Sequence, residues 1–277
     1  MSLQPKTHNR LTIADIAARN GKDPIVVLTA YGAPMATLLD PHVDMLLVGD
    51  SLGMVLYGFD STLPVTLEMM IAHTAAVVRG SKRALVIADM PFGSYQASPE
   101  QAFIACAEML SRTGCGAVKL EGGCEMAETV KMLTDRGIPV MSHIGLKPQH
   151  VHTSAGYKAQ GKTDIDRTRI MEDARACEEA GAFALLIEAT EESLARAITE
   201  RALIPTIGIG ASPACDGQVL VSEDMLGLFE QTPRFVEQFG QMRTLISHGV
   251  EAYANAVRTR QFPAQKHCFV IGKSSDS

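Results

Sequence analysis

Aliphatic runs of strand length recur along the chain, at 25–29, 45–48, 84–88, 117–120, 138–141, 182–187 and 204–209, with a weaker eighth near 218–221. They are continuous rather than alternating, which is the pattern of strands buried on both faces in a parallel sheet. Helical patterns separate most of them. Thr66 can cap a helix running to about Arg79, with Glu68 in its first turn. Ser98-Pro99-Glu100-Gln101 combines an N-cap, a proline at the first helical position and a capping-box partner. That helix should end before Gly114, while 125–136 stops at Gly137 and 166–180 at Gly181. Thr232-Pro233 predicts the start of a long helix ending before Pro263. The segment 11–20 predicts an extra N-terminal helix, placed to cover the N-terminal mouth of a barrel.

Strands alternating with helices imply a parallel sheet. Eight such units favour a closed (β/α)8 barrel over an open doubly wound sheet. The chain's 277 residues suit one barrel, which typically needs roughly 250. No shift in composition marks a linker, so a single domain is expected over 1–277, with a disordered tail from about 272.

Four of the runs are followed within two residues by an acid: Asp50, Asp89, Glu121 and Glu188. Carboxyl ends of parallel strands are where the acting groups of such folds stand. Four carboxylates on separate strands suggest a convergent site for a hard divalent cation, with a base beside it. Asp50 and Asp89 follow neighbouring strands, about 4.8 Å apart, and can share one Mg²⁺; the plainer reading is that each caps a loop or helix. In 117–121, Lys119 and Glu121 lie two apart and face one side. Lys119 suits a substrate carboxylate and Glu121 the metal shell; a buried structural ion pair is the alternative. A Schiff-base role for Lys119 is disfavoured by Glu121, which would hold the amine protonated. Glu188 follows an apolar wall, which favours its protonated form and suits a general base near neutral pH. It could equally anchor the next helix.

His143 could bind a substrate oxygen or shuttle a proton, or be structural. His73 reads as structural, and His150-Val151-His152 as loop rather than metal site. Gly208, Gly210 and Gly217 suggest a glycine-rich turn of the kind that binds anions in barrels, without a dinucleotide fingerprint.

Composition narrows this further. A net charge of −6 and the lack of a basic cluster argue against a nucleic-acid partner. No apolar run approaches the roughly 20 residues needed to span a bilayer, and the N-terminal residues carry no secretory h-region. Six cysteines without a CxxC pair suggest reduced thiols in a cytoplasmic protein.

Five segments together resemble one family. VGDSLGMVLYGFDSTLPVT at 48–66, ADMPFGSY at 88–95, VKLEGG at 118–123, SHIGLKPQ at 142–149 and GIGASPACDGQVLV at 208–221 are similar to ketopantoate hydroxymethyltransferases, in family order. The resemblance implies a barrel of the phosphoenolpyruvate/pyruvate type, usually a homodecamer using Mg²⁺. It implies transfer of a one-carbon unit from 5,10-methylenetetrahydrofolate to 3-methyl-2-oxobutanoate, through a metal-stabilised enolate, in the first step of pantothenate biosynthesis. Asp50, Asp89 and Glu121 fall on the family's metal carboxylates. Asp50, Ser51, Asp89 and Lys119 fall on its ketoacid-binding positions, with His143 a further candidate, and Glu188 falls on its proposed base. The chain departs from the family's GIGAG at Ser212, which could adjust the barrel mouth, and from its GGYK at 154–158. A folate-independent lyase of the same superfamily and a non-catalytic ketoacid-binding barrel are the alternatives.

Overall fold

The structure is a computed structural model describing residues 10–153 and 158–269. The chain forms two compact units, Met1–Ser222 and Glu223–Ser277; the expected single domain spans both. The tail expected from about 272 and the departure at 154–157 lie outside the described residues.

The first unit holds the barrel. Its strands are β1 (Ile25–Thr29), β2 (Met45–Val48), β3 (Leu85–Asp89), β4 (Ala117–Glu121), β5 (Val140–Gly145), β6 (Ala184–Glu188), β7 (Thr206–Ile209) and β8 (Gly217–Leu220). All pair in parallel in sequence order, and β8 pairs back to β1. Closure excludes the open sheet. At the seam a side chain on Gly217 would lie 2.5 Å from the Ile25 carbonyl oxygen, so only glycine lets the two strands approach. β5 starts later than the apolar run suggested. Ile138 still donates its N–H to Leu133 O and so closes the preceding helix.

Alternation sorts the strand residues. Val27, Met45, Ile87, Met141, Leu186 and Ile207 pack inside the barrel, while Leu46, Val86, Val118, Leu120 and Leu185 pack in the separate layer toward the helices. The fully buried Ile16 joins the interior group. It sits on the short helix Ile13–Ala17, which carries a capping box between Thr12 and Asp15. Five residues make no stable helix in isolation; burying Ile16, worth roughly 1.5–3 kcal/mol, holds this one in place. The expected extra helix is therefore present, shorter than predicted, and inserts Ile16 into the barrel interior.

The capping signals behave mostly as read. Thr66 caps Leu67–Gly80 and Ser98 caps Pro99–Thr113, which ends on Gly114 in the left-handed region at φ 75°. Gln101 does not complete a capping box; its side chain accepts from the Ala97 N–H and donates to Gly93 O. Thr163 caps Asp164–Glu179, which starts two residues before the expected 166.

The second unit corrects one expectation. Its helix is Met242–Arg258, starting nine residues after Pro233. The Phe239, Met242 and Arg243 N–H groups donate to Met225, Leu226 and Gly227 carbonyls. Those bonds hold 239–243 against the 225–227 turn, so the helix cannot begin at Thr232-Pro233. The helix buries none of its residues.

Candidate active site at the strand ends

Strands β3, β4 and β6 run on through their terminal acids, so Asp89, Glu121 and Glu188 remain part of the ladders. Asp89 lies level with Lys119, Glu121 with His143, and Glu188 with Gly145. Ala117 packs in the interior, so Lys119 and Glu121, two and four residues on, also point inward. The same alternation from Ile87, Met141 and Leu186 turns Asp89, His143 and Glu188 inward. Apolar side chains fill the lower layers, and the charged ones form the layer at the C-terminal mouth. Asp50 lies two residues beyond β2 and reaches the site from the loop. Its N–H donates to Asp89 Oδ2 at 3.1 Å. Asp50, Asp89, Lys119, Glu121 and His143 are all buried.

Lys119 Nζ lies 2.6 Å from Asp89 Oδ1 and donates to His143 Nδ1 at 3.2 Å. His143 Nδ1 is 3.6 Å from Glu121 Oε1, and His143 Nε2 is 3.3 Å from Glu188 Oε2. One imidazole thus stands between the fourth-strand and sixth-strand acids. Gln149 Nε2 donates to Asp50 Oδ2 at 2.9 Å, and the Gln149 N–H donates to Glu121 Oε2 at 3.0 Å. Tyr31 and Ser51 hydroxyls meet at 2.8 Å.

Burial sets the charge states. It raises the Asp89 carboxyl to about 7, against the opposing pull of Lys119. It also pushes Glu121 well above the usual carboxylate range. For Lys119 burial works the other way, but Asp89, Glu121 and Asp50 outweigh it and the amine is held protonated. That disfavours the Schiff-base reading. Burial and then Lys119 drive His143 well below its ordinary value. A neutral imidazole accepting at Nδ1 carries its proton on Nε2, the atom facing Glu188. Burial raises Glu188 to about 7, with Lys119 opposing. Its side chain keeps 18% exposure, so it stays reachable from the mouth. Burial and the neighbouring Glu121 carboxylate keep the Tyr95 phenol protonated.

The donor chemistry suits a hard cation: Asp50, Asp89 and Glu121 present only oxygen. Buried Asp89 Oδ1 receives no directed hydrogen bond despite its close lysine. Among the described residues, however, no three acid, histidine or cysteine side chains are already gathered as a metal-ligand set. Each carboxylate is instead engaged by a protein donor. Buried His143 Nε2 also lacks a directed hydrogen bond, as a group awaiting a ligand oxygen would.

Other sequence candidates resolve differently. His73 is structural: its ring nitrogens meet Tyr31 O at 2.6 Å and Tyr57 Oη at 2.9 Å. His150 closes a short 3₁₀ turn and His152 lies in the turn after it. The glycine-rich turn is smaller than expected, because Gly208 belongs to β7 and Gly217 to β8. Ser212 is buried, donates to Glu192 Oε1 and accepts from the Ala214 N–H, so its hydroxyl is used within the loop. Gln149 and Tyr95 are site residues that the sequence reading missed. Both lie inside motif segments, but a neutral amide or phenol in a loop gives no signal of an acid partner on another strand.

Among the described residues, no helix is long and apolar enough to cross a membrane. The chain matches the family described as Ketopantoate hydroxymethyltransferase over residues 10–265. A 3-methyl-2-oxobutanoate hydroxymethyltransferase from Paramagnetospirillum magneticum is 59% identical over 95% of this chain and 97% of its own. One from Rhodospirillum centenum is 60% identical over 96% and 97%. In fold the barrel is similar to 2,3-dimethylmalate lyase, a PEP mutase/isocitrate lyase superfamily member, with a TM-score of 0.55, 18% identity and coverage of 90% and 88%. The chain belongs to the ketopantoate hydroxymethyltransferase family.

Proposed function

We infer that this enzyme transfers a hydroxymethyl group from 5,10-methylenetetrahydrofolate to 3-methyl-2-oxobutanoate, giving 2-dehydropantoate and tetrahydrofolate, the first step of pantothenate biosynthesis. The observation that carries this reading is the inward layer of Asp89, Lys119, Glu121, His143 and Glu188 at one barrel mouth. The folate-independent lyase and the non-catalytic barrel are disfavoured, because relatives at 59% and 60% identity over nearly the whole chain are named as hydroxymethyltransferases.

We assign Asp50, Asp89 and Glu121 to Mg²⁺, on their oxygen-only donor set. Held by these three carboxylates, such an ion would supply Lewis-acid polarisation of the ketoacid. Lys119, held protonated by its acid neighbours, is a fixed positive charge for the ketoacid carboxylate. Asp50 and Ser51 line the same end, and His143 Nε2–H is placed to donate to a substrate oxygen. Glu188 removes the C3 proton. Its carboxyl, raised to about 7, is both ionised and basic near neutral pH, which general-base catalysis requires. Free cysteines among the described residues support a cytoplasmic setting, and a homodecamer is the assembly the family resemblance implies.

The test is C3 deuterium exchange of 3-methyl-2-oxobutanoate in D₂O. Glu188→Gln should slow exchange by about 10²–10⁴-fold while calorimetric ketoacid binding in the presence of Mg²⁺ persists. Exchange at the unmodified rate would remove Glu188 from the role. Product formation without methylenetetrahydrofolate would overturn the transferase reading.

A further inference from the structure

Gln149 lies on the 3₁₀ turn Pro148–His150 that follows β5, yet it reaches across the mouth to Asp50 on the loop after β2 and to Glu121 at the end of β4. Its Nε2 donates to Asp50 Oδ2 and to Met90 O, both at 2.9 Å. Its Oε1 accepts from Tyr95 Oη at 2.7 Å and from Gln96 Nε2 at 2.9 Å. Its backbone N–H donates to Glu121 Oε2 at 3.0 Å. Gln149 and Tyr95 are buried, and both ends of the amide are satisfied.

That pattern permits one amide orientation. A flip would turn Oε1 toward the Asp50 carboxylate and Met90 O, placing acceptor against acceptor. It would also turn the NH₂ toward the donor Gln96. The Tyr95 hydroxyl, which accepts from the Glu121 N–H at 3.0 Å, directs its own proton to Gln149. The tyrosine therefore fixes the amide, and the amide fixes Asp50. One oxygen of Asp50 and one of Glu121 are committed to Gln149. Rotation of both carboxylates is restricted, so each presents its other oxygen in one direction.

We propose that Gln149, oriented by Tyr95, is a positioning residue that sets the Asp50 and Glu121 carboxylates for the divalent cation. This rests on the metal assignment proposed above. Mg²⁺ tolerates little departure from octahedral geometry, so freeing a carboxylate to rotate reduces affinity. Outer-shell partners of metal ligands typically contribute 10–100-fold in affinity. The role is to orient acids that the chain supplies, and Gln149 takes no part in moving protons.

The experiment measures Mg²⁺ binding by calorimetry without substrate, together with the electron paramagnetic resonance line shape of bound Mn²⁺. Both are made on the full chain for wild type, Gln149→Leu, Tyr95→Phe and Asp50→Asn. Gln149→Leu should weaken Mg²⁺ binding about 10–100-fold and change the Mn²⁺ line shape. Its apparent ketoacid KM should return toward the wild-type value when Mg²⁺ is raised. Tyr95→Phe should weaken binding in the same direction by a smaller factor, and it tests the same network if Gln149→Leu fails to fold. Mg²⁺ affinity within twofold of wild type, with an unchanged Mn²⁺ spectrum, in either folded variant would overturn the inference and leave the metal site standing. Wild type that binds no Mg²⁺, or Asp50→Asn that binds it as wild type does, would overturn the metal assignment and this inference with it.

Discussion

Glu188 combines a carboxyl raised to about 7 by burial with a side chain that keeps 18% exposure. Proton abstraction needs the ionised form, so C3 exchange should rise with pH through about 7 and level off above it. A profile flat from pH 5 to 9 would show that another group acts as base. The same shift has a cost in stability. In the unfolded chain Glu188 ionises near its ordinary value of 4.5, so between there and about 7 the folded state binds the extra proton. Its contribution to stability is full below 4.5 and is lost as pH rises through 7. At about 1.4 kcal/mol per unit, the loss is on the order of 3 kcal/mol at most. Glu188→Gln should therefore gain stability relative to wild type on going from pH 5 to pH 8, measured by denaturant titration at both. The sequence made this residue legible as an acid after an apolar wall. It gave no sign of the imidazole 3.3 Å away, because His143 comes from a different strand.

At the level of elements, caps and turns divide cleanly from active-side geometry. Ser98 accepts from the Gln101 N–H at the start of Pro99–Thr113. Ser98→Ala should cost about 1 kcal/mol in chemical denaturation with exchange activity intact. Gly145 is another matter. It ends β5 at φ 87°, and an added Cβ would lie 2.4 Å from both Glu188 O and Thr190 Oγ1. Gly145→Ala should shift the end of β6 and slow C3 exchange at least tenfold. Wild-type exchange in that variant would show that β6 tolerates the displacement. Caps such as Thr66 and Ser98 were readable because capping is a contact between residues three apart. The helix expected from Thr232-Pro233 was not, because bonds from 239–243 to the 225–227 carbonyls decide where it starts.

For the whole molecule, closure is what turns separate strands into a site. β8 pairs with β1, Ile16 fills the interior from the N-terminal side, and the acids are left at the opposite mouth. In the single chain, Leu245, Val250 and Tyr253 of the second unit are exposed, and the proposed homodecamer would give these apolar side chains a partner. Light scattering of the purified protein should report about ten chains per particle, and a monomer at micromolar concentration would refute the decamer. The sequence by itself determined the number and order of the strands, most helix caps and the identity of the acids, since these depend on local periodicity and turn chemistry. Tertiary structure alone decided that Lys119 pairs with Asp89, that His143 faces Glu188, and that Gln149 holds Asp50 from 99 positions away. The physical reason is that charge state and hydrogen-bond partner depend on burial and on which strand ends meet. Those are properties of barrel closure that no window of neighbouring residues contains.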